Sequence, residues 1–215
     1  MRICVSGAQG LGKSTFVQDF LKEWPMYSTP LKTYRDLVKK KKIKINKNGN
    51  AKSQLAILNY HIDEIQKYTK DDNVILDRGV LDPLIFSLWL YEKGKGISDD
   101  EIEDMLKLTK MTMPLYDIIF IVPLLKKTPI KMVPDEFRDT DEVYQQEINN
   151  IFMAAEQSYF KHGNIIFPLK DCPAIISLSG SREERIALAK FYVGKDGGPF
   201  GEEESLIKET LENEI

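Results

Sequence analysis

The chain has 215 residues, 42% of them hydrophobic and 29% charged, and a formal net charge of −3, the composition of a soluble globular protein with one substantial core or one domain plus a small lid. No apolar run is long enough to cross a bilayer, and the two cysteines, Cys4 and Cys172, lack ligand spacing. A membrane-spanning chain and a disulfide scaffold are thereby excluded, and both cysteines are expected as reduced core residues.

Met1 leads straight into a strand-like run, without a signal or transit segment, which makes the cytoplasm the expected compartment. The first strand is Ile3-Cys4-Val5, and it runs into GAQGLGKST, residues 7–15. Gly7, Gly10, Gly12, Lys13 and Ser14 satisfy G-x-x-x-x-G-K-[ST], with Ala8, Gln9 and Leu11 as the variable positions, and Thr15 opens a helix-like run over 15–24. A nucleotide's phosphates need backbone N–H groups lying very close to them, and glycine permits both the approach and the backbone angles it requires. The helix start adds its partial positive charge, Lys13 reaches the β and γ groups, and the Ser14 hydroxyl ligates Mg²⁺. This stretch predicts a nucleoside-triphosphate site.

Trp24 and Pro25 end the first helix, residues 26–29 are a short strand candidate, and 31–38 a short helix. Residues 31–52 hold eight lysines and Arg35 against one acid, Asp36. The run Lys39, Lys40, Lys41, Lys42 suits an anionic partner, nucleic acid included, and equally suits a solvated loop that keeps the chain soluble. After a turn at 47–50, residues 52–68 place Leu55, Leu58, Ile62 and Ile65 at helical spacing. His61 inside that helix and His162 beside a glycine have no sequence partner that suggests a metal or a relay, and both are expected to be structural.

Residues 73–79, NVILDRG, are an apolar strand that delivers Asp77 and Arg78 to the carboxyl edge of a parallel sheet, where ligands bind in such sheets. There Asp77 can hold Mg²⁺ or take a proton from an attacking hydroxyl, and Arg78 can steady a phosphate. Asp82-Pro83 opens an apolar helix over 84–91, where capping accounts for Asp82 and a substrate role is the weaker reading. Gly94 and Gly96 close it, Ser98 and Glu101 form a capping box for a helix ending near Met113, and Met105, Met111 and Met113 are expected core filler. Residues 117–122 are another strand.

Residues 123–139 lack periodicity and carry Lys126, Lys127, Lys131 and Arg138. A basic irregular segment after a sheet strand is a candidate lid, with Arg138 as the cation that meets a migrating phosphoryl group. A helix over 141–159 buries Val143, Ile148, Phe152, Ala155 and Tyr159, strands follow at 165–169 and 174–178, and Ser181 to Glu184 cap a last helix to 193. Residues 196–215 hold Asp196 and six glutamates against Lys208, an acidic tail expected to be a frayed helix. The alternation of elements predicts an α/β fold with a mostly parallel sheet covered on both faces.

With GAQGLGKST, VILDRG followed by Leu81-Asp82, and FRDTDEVYQQEI, the chain resembles the P-loop nucleoside and nucleotide kinase group over residues 1–193. It looks closest to small AAA-like kinase domains related to the ribosylnicotinamide kinase part of bacterial NAD-metabolism regulators, and more distantly to thymidylate and deoxynucleoside kinases. The resemblance implies the three-layer α/β/α sandwich of P-loop NTPases with a small lid at 123–139, and a tail at 194–215. It implies ATP as donor, Lys13 and Ser14 on donor and metal, and Asp77 and Arg78 as the Asp-Arg or Glu-Arg pair of those kinases. Arg138 becomes a lid arginine and Arg35 an acceptor-side arginine, and a homodimer is in keeping with the group. Gly79 stands where many nucleotide kinases carry an aromatic or serine, and 39–47 is unusually lysine-rich. The acceptor therefore stays open between a nucleoside, a nucleotide or related small molecule and a hydroxyl on DNA, as in phage-type kinases of hydroxymethylated pyrimidines. An ATP-dependent binding switch with slow hydrolysis is the alternative of another class.

Overall fold

The computed structural model describes residues 1–125, 136–137, 139–161 and 164–200. The apolar runs become four parallel strands, β1 (Arg2–Ser6), β2 (Val74–Asp77), β3 (Ile118–Ile121) and β4 (Ala174–Ser177), in the order β2-β1-β3-β4. Ile3, Cys4 and Val5 in β1 and Phe120 and Ile121 in β3 are completely buried. Consecutive buried residues on a strand mean that both faces of the sheet are covered, as parallel sheets require. Val5 lies opposite Asp77 and Ser6 opposite Ile121, so the strands end together and open onto one edge.

Helices α1 (Lys13–Glu23), α2 (Tyr34–Lys41), α3 (Ala51–Ile65), α4 (Leu81–Glu92), α5 (Asp99–Thr112), α6 (Glu142–Tyr159) and α7 (Arg182–Ala189) complete the fold. α1 packs on β1, β2 and α7, whereas α3, α5 and α6 gather around α4. Side-chain boxes start four of these helices, Thr33 with Asp36, Asn50 with Ser53, Ser98 with Glu101 and Ser181 with Glu184. Among the described residues no helix is long and apolar enough to cross a membrane.

Several expected features differ. Residues 165–169 form bends rather than a strand: Phe167 alone is fully buried there, and Leu169 is 89% exposed. Residues 26–29 contribute one bridge, Ser28 to Val74, because Pro30 leaves no room for a ladder. In α6 the buried stripe is Tyr144, Ile148, Phe152 and Ala155, one position on from Val143, which is 68% exposed. In α3 it runs through Ile57, Leu58, His61 and Ile65 and leaves Leu55 at the surface. Met105 and Met113 are core residues but Met111 is exposed, and Cys172 is only half-buried, while both cysteines are free as expected. The expected turn at 47–50 is a 3-10 turn over Asn46–Asn48. His162 and residues 201–215 of the acidic tail lie outside the described residues.

Gly79 has a packing reason. A Cβ there would stand 2.6 Å from the Cys4 sulfur and 3.0 Å from the Tyr116 oxygen, both on buried side chains. Gly79→Ala is expected to destabilise the fold by about 1–3 kcal/mol through overpacking, read from the urea midpoint, and Cys4→Ala in the same chain should restore part of the loss.

Candidate active site

The phosphate loop follows β1 directly. Gly7 sits at φ +137°, and a Cβ there would come 2.7 Å from the Val122 carbonyl oxygen, so the loop passes beside the end of β3 with no room for a side chain. Gly12, at φ +80°, is the N-cap of α1 and brings no capping side chain to the helix start. The loop's carbonyls are gathered from outside. Gly7 O accepts from the Lys13 ammonium at 2.8 Å and from Arg78 at 3.1 Å, and Ala8 O accepts from Lys13 as well. Gln9 O accepts from the Gln145 amide of α6 at 2.6 Å, and Leu11 O from Arg185 of α7 at 2.9 Å. In a trans peptide the N–H points opposite to the carbonyl, so fixing these carbonyls aims the following N–H groups the other way, as an anion nest requires.

β2 then places Asp77 and Arg78. The Ser14 hydroxyl donates to the Asp77 carboxylate, so the first turn of α1 and the end of β2 bring two hard oxygen donors together. Arg78 is a non-glycine residue at φ +81°. In that conformation its guanidinium is bonded to the phosphate loop at Gly7 O, ion-paired with Asp82, and set 5.5 Å from the Phe86 ring centre. Strain of this kind persists only where surroundings over-determine it. Burial acts against the charge, but Tyr34, Asp82 and Asp77 outweigh it and hold the guanidinium above its usual, already high, range.

These groups line one cavity of about 210 Å³ at the carboxyl edge of the sheet. One wall is the loop and helix start, residues 9–15; the rest comes from the first turn of α2, from Ile45 and Asn46, from the inner faces of α3 and α4, and from Phe137. Arg35 lies 5.5 Å from the Phe137 ring centre, Asn46 donates to the Phe137 carbonyl at 3.1 Å, and Lys47 pairs with Asp141 at 2.5 Å. Arg35, Asn46 and Lys47 thus meet Phe137 and Asp141 beside the cavity.

A family model described as an AAA domain matches residues 2–173. The chain belongs to that family. No curated protein matches the sequence. Among solved structures, this AAA domain is similar to a deoxyadenosine kinase from M. mycoides with dCMP and dCDP bound (TM-score 0.62, 18% identity, 88% of this chain and 96% of that one). It is also similar to thymidylate kinase from Candida albicans (0.58, 15%, 88% and 89%) and to NadR in complex with NR (0.60, 15%, 88% and 50%). The chain spans half the length of the NadR chain. At these identities the likeness is one of fold, that of the P-loop kinases, with the parallel sheet the sequence predicted.

Of the residues singled out in the AAA domain's sequence, Gln9, Gly10, Leu11, Gly12, Lys13, Ser14, Thr15, Asp77, Arg78, Arg35 and Asp82 all line the cavity, while Gly7 and Ala8 hold Lys13 from behind. Asp82 is not the N-cap of α4, a place taken by Val80; it lies in the first turn, completely enclosed, and accepts from the Gly79 N–H at 3.2 Å while pairing with Arg78. Lys39 to Lys42 are exposed at the end of α2, where Lys39 reaches Glu136 at 3.2 Å. Arg138, with residues 126–135 of the expected lid, lies outside the described residues. Sequence reasoning passed over Gln145 and Arg185, whose roles depend on tertiary approach alone. It also passed over Tyr34, Gln54 and Phe86, and it read His61, which lines the cavity too, as structural. Gln54, Ile57 and His61 share one face of α3 by spacing, the one signal that was available. His61 is buried, and burial holds its imidazole neutral, with the pKa lowered to about 4.

Proposed function

We propose that this protein is a kinase that transfers the γ-phosphoryl group of Mg·ATP to a nucleoside, nucleotide or related small molecule. The observation that carries the reading is that the phosphate loop and the Asp77–Arg78 pair open into the same cavity as aromatic, amide and imidazole side chains from α2, α3 and α4. A triphosphate and a flat polar acceptor would meet there. The fold shared with structures whose names are deoxyadenosine kinase, thymidylate kinase and NadR supports the same class, and NadR with AMP-PNP and the deoxyadenosine kinase with dATP support an adenine nucleotide as donor.

In this reading the loop N–H groups and Lys13 bind the β- and γ-phosphates, and Arg78 stabilises the charge that develops between donor and acceptor. Ser14 and Asp77 fit Mg²⁺ as hard oxygen donors already in contact; the ion supplies charge neutralisation on the phosphates. Asp77 is also a cavity-lining carboxylate able to receive the proton of the acceptor hydroxyl as that oxygen takes the phosphoryl group. Residues 1–193 are the kinase domain and 123–139 its lid, with Arg138 completing the charge around the phosphoryl group. Phe137 in the cavity wall, and Leu124 held by Asn149 at 2.8 Å, put both ends of that segment on fixed ground. A cytoplasmic location, where ATP is supplied, goes with this chemistry.

A second acceptor reading, a hydroxyl on DNA, is favoured by the exposed run Lys39 to Lys42, because the helix that ends there begins in the cavity wall with Tyr34 and Arg35. One assay separates the readings: transfer of labelled γ-phosphate from Mg·ATP to pooled nucleosides, nucleoside monophosphates, and DNA with normal or hydroxymethylated pyrimidines. Label in a small-molecule pool supports the leading reading. Label in DNA, lost with salt or with glutamine at 39–42, supports the second. ATP loss without label in any pool sinks both in favour of a binding switch.

A further inference from the structure

Cations fasten the α7 region to α1. Arg182 donates twice to Asp19, at 2.8 and 2.6 Å, and Lys190 pairs with Glu23 at 2.6 Å. Both cations are exposed, where a pair is worth little because water serves each partner nearly as well. Arg185 lies between them in the sequence and is buried, yet among the described residues it meets no carboxylate. Its guanidinium donates to Leu11 O at 2.9 Å, and its Nε is buried without a hydrogen-bond partner. Glu184, the acid next to it in the chain, is turned to Ser181 in the box that starts the helix. Burial, with no acidic neighbour to oppose it, pulls the guanidinium below its usual range.

A buried charge without a counter-charge costs stability, so this arginine calls for an explanation. Holding a loop carbonyl does not require it: Gln145 holds the neighbouring one, Gln9 O, at 2.6 Å with a neutral amide. What the guanidinium adds is its charge. Leu11 and Gly12 line the cavity, although among the described residues of its lining none belongs to α7. Leu11 O faces Arg185, so the Gly12 N–H, on the other side of that trans peptide, points the opposite way. A cation at the carbonyl draws electron density toward the oxygen and makes the N–H of the same peptide a stronger donor, the cooperativity of linked hydrogen bonds. A carboxylate beside Arg185 would cancel that polarisation and repel an anion on the loop's other face.

We propose that Arg185 is a positioning residue for the triphosphate donor, acting through the Leu11–Gly12 peptide, and that the donor's phosphates are the counter-charge its buried guanidinium lacks. The proposal rests on the donor half of the kinase reading above and asks nothing of the acceptor. It makes α7 part of the donor site from behind the loop. A group kept for function at a cost in stability has a signature: removing its charge lowers ligand affinity without lowering the stability of the free protein.

The test titrates the full chain calorimetrically with Mg·ATP and with inorganic triphosphate, a probe that carries the charge without the base. Arg185→Met, an unbranched and uncharged side chain, should weaken binding of both by about tenfold. The melting temperature of the ligand-free protein should hold or rise, because the lost bond to Leu11 O is offset by the desolvation cost removed. Arg185→Lys, which keeps the charge, should recover much of the affinity for both probes. Unchanged affinity in Arg185→Met overturns the proposal and leaves the donor reading standing. So do equal losses of affinity and of melting temperature in the two variants, which mark an arginine needed for its shape alone. A loss confined to ATP, with triphosphate bound as before, overturns it as well, since the phosphates would then not feel the charge. A wild-type protein that binds neither probe overturns the donor reading and this proposal with it.

Discussion

Lys13→Ala is expected to lower phosphoryl transfer about a thousandfold, the scale seen when a preorganised cationic or N–H contact to a developing anion is removed. In the structure the ammonium is buried and satisfied by the carbonyls of Gly7 and Ala8, inside the loop it belongs to. It is thus held beside the place where phosphates would lie, at no entropy cost to a long free side chain. The alanine chain loses this charge and also the tie that keeps the Ala8 peptide turned. Calorimetric titration with an ATP analogue should show weakened binding, and single-turnover transfer a larger loss than binding accounts for. Equal losses in the two would mean that Lys13 only anchors the ground state. Lys13→Arg is not a rescue, because a planar fork does not fit a pocket shaped for a point charge.

Asp82→Ala should be the most damaging single change to stability, about 3–5 kcal/mol, since it leaves a buried guanidinium without its counter-charge. Arg78 and Asp82 are 8% and 2% exposed, and their bond joins the end of β2 to the first turn of α4. Asp82→Asn keeps one carbonyl acceptor, for either Arg78 or the Gly79 N–H but not both, and should lose less. The exposed pair Lys39 with Glu136 is the control: Glu136→Gln should change stability by less than about 1 kcal/mol, because water screens both partners. Urea unfolding of the four proteins decides the order. A loss for Asp82→Ala no larger than for Glu136→Gln would show that Gly7 O and the ring of Phe86 are enough for Arg78.

What was legible in the sequence was local. The phosphate loop announces itself because nine adjacent residues must satisfy one geometric task, and the Ser98 and Ser181 boxes are settled within four residues each. Asp77 and Arg78 were legible once the phosphate loop defined the working edge of the sheet. The misreadings depend on distant partners. Val143 and Tyr144 differ by one position on a helix, and what buries Tyr144 is Trp89, at 4.6 Å between ring centres. Residues 165–169 have strand composition, but β4 is already the edge beside β3 and takes 174–177. His61 looks like any core histidine in a list of spacings; that it lies beside the cavity is a property of α3 lying against α2 and α4. Gly79, which as a sequence departure pointed at the acceptor, answers to Cys4 and Tyr116.

The placement of β1 has a further consequence for how the chain reaches this fold. β1 is internal to the sheet, yet its two neighbours lie about seventy and more than a hundred residues away, with Cys4 opposite Leu76 and Ile119. A chain made from its amino end exposes this apolar strand, and the glycine-rich loop after it, before either neighbour exists. The ordering entropy of the loop is met only when β2 and then β3 dock, a non-local topology that slows folding and leaves an unpaired strand open to wrong partners in the interval. Refolding should be slower than in a helical protein of this size, and β1, the strand that runs into the glycine-rich loop, should be the last to gain hydrogen-exchange protection on both of its edges.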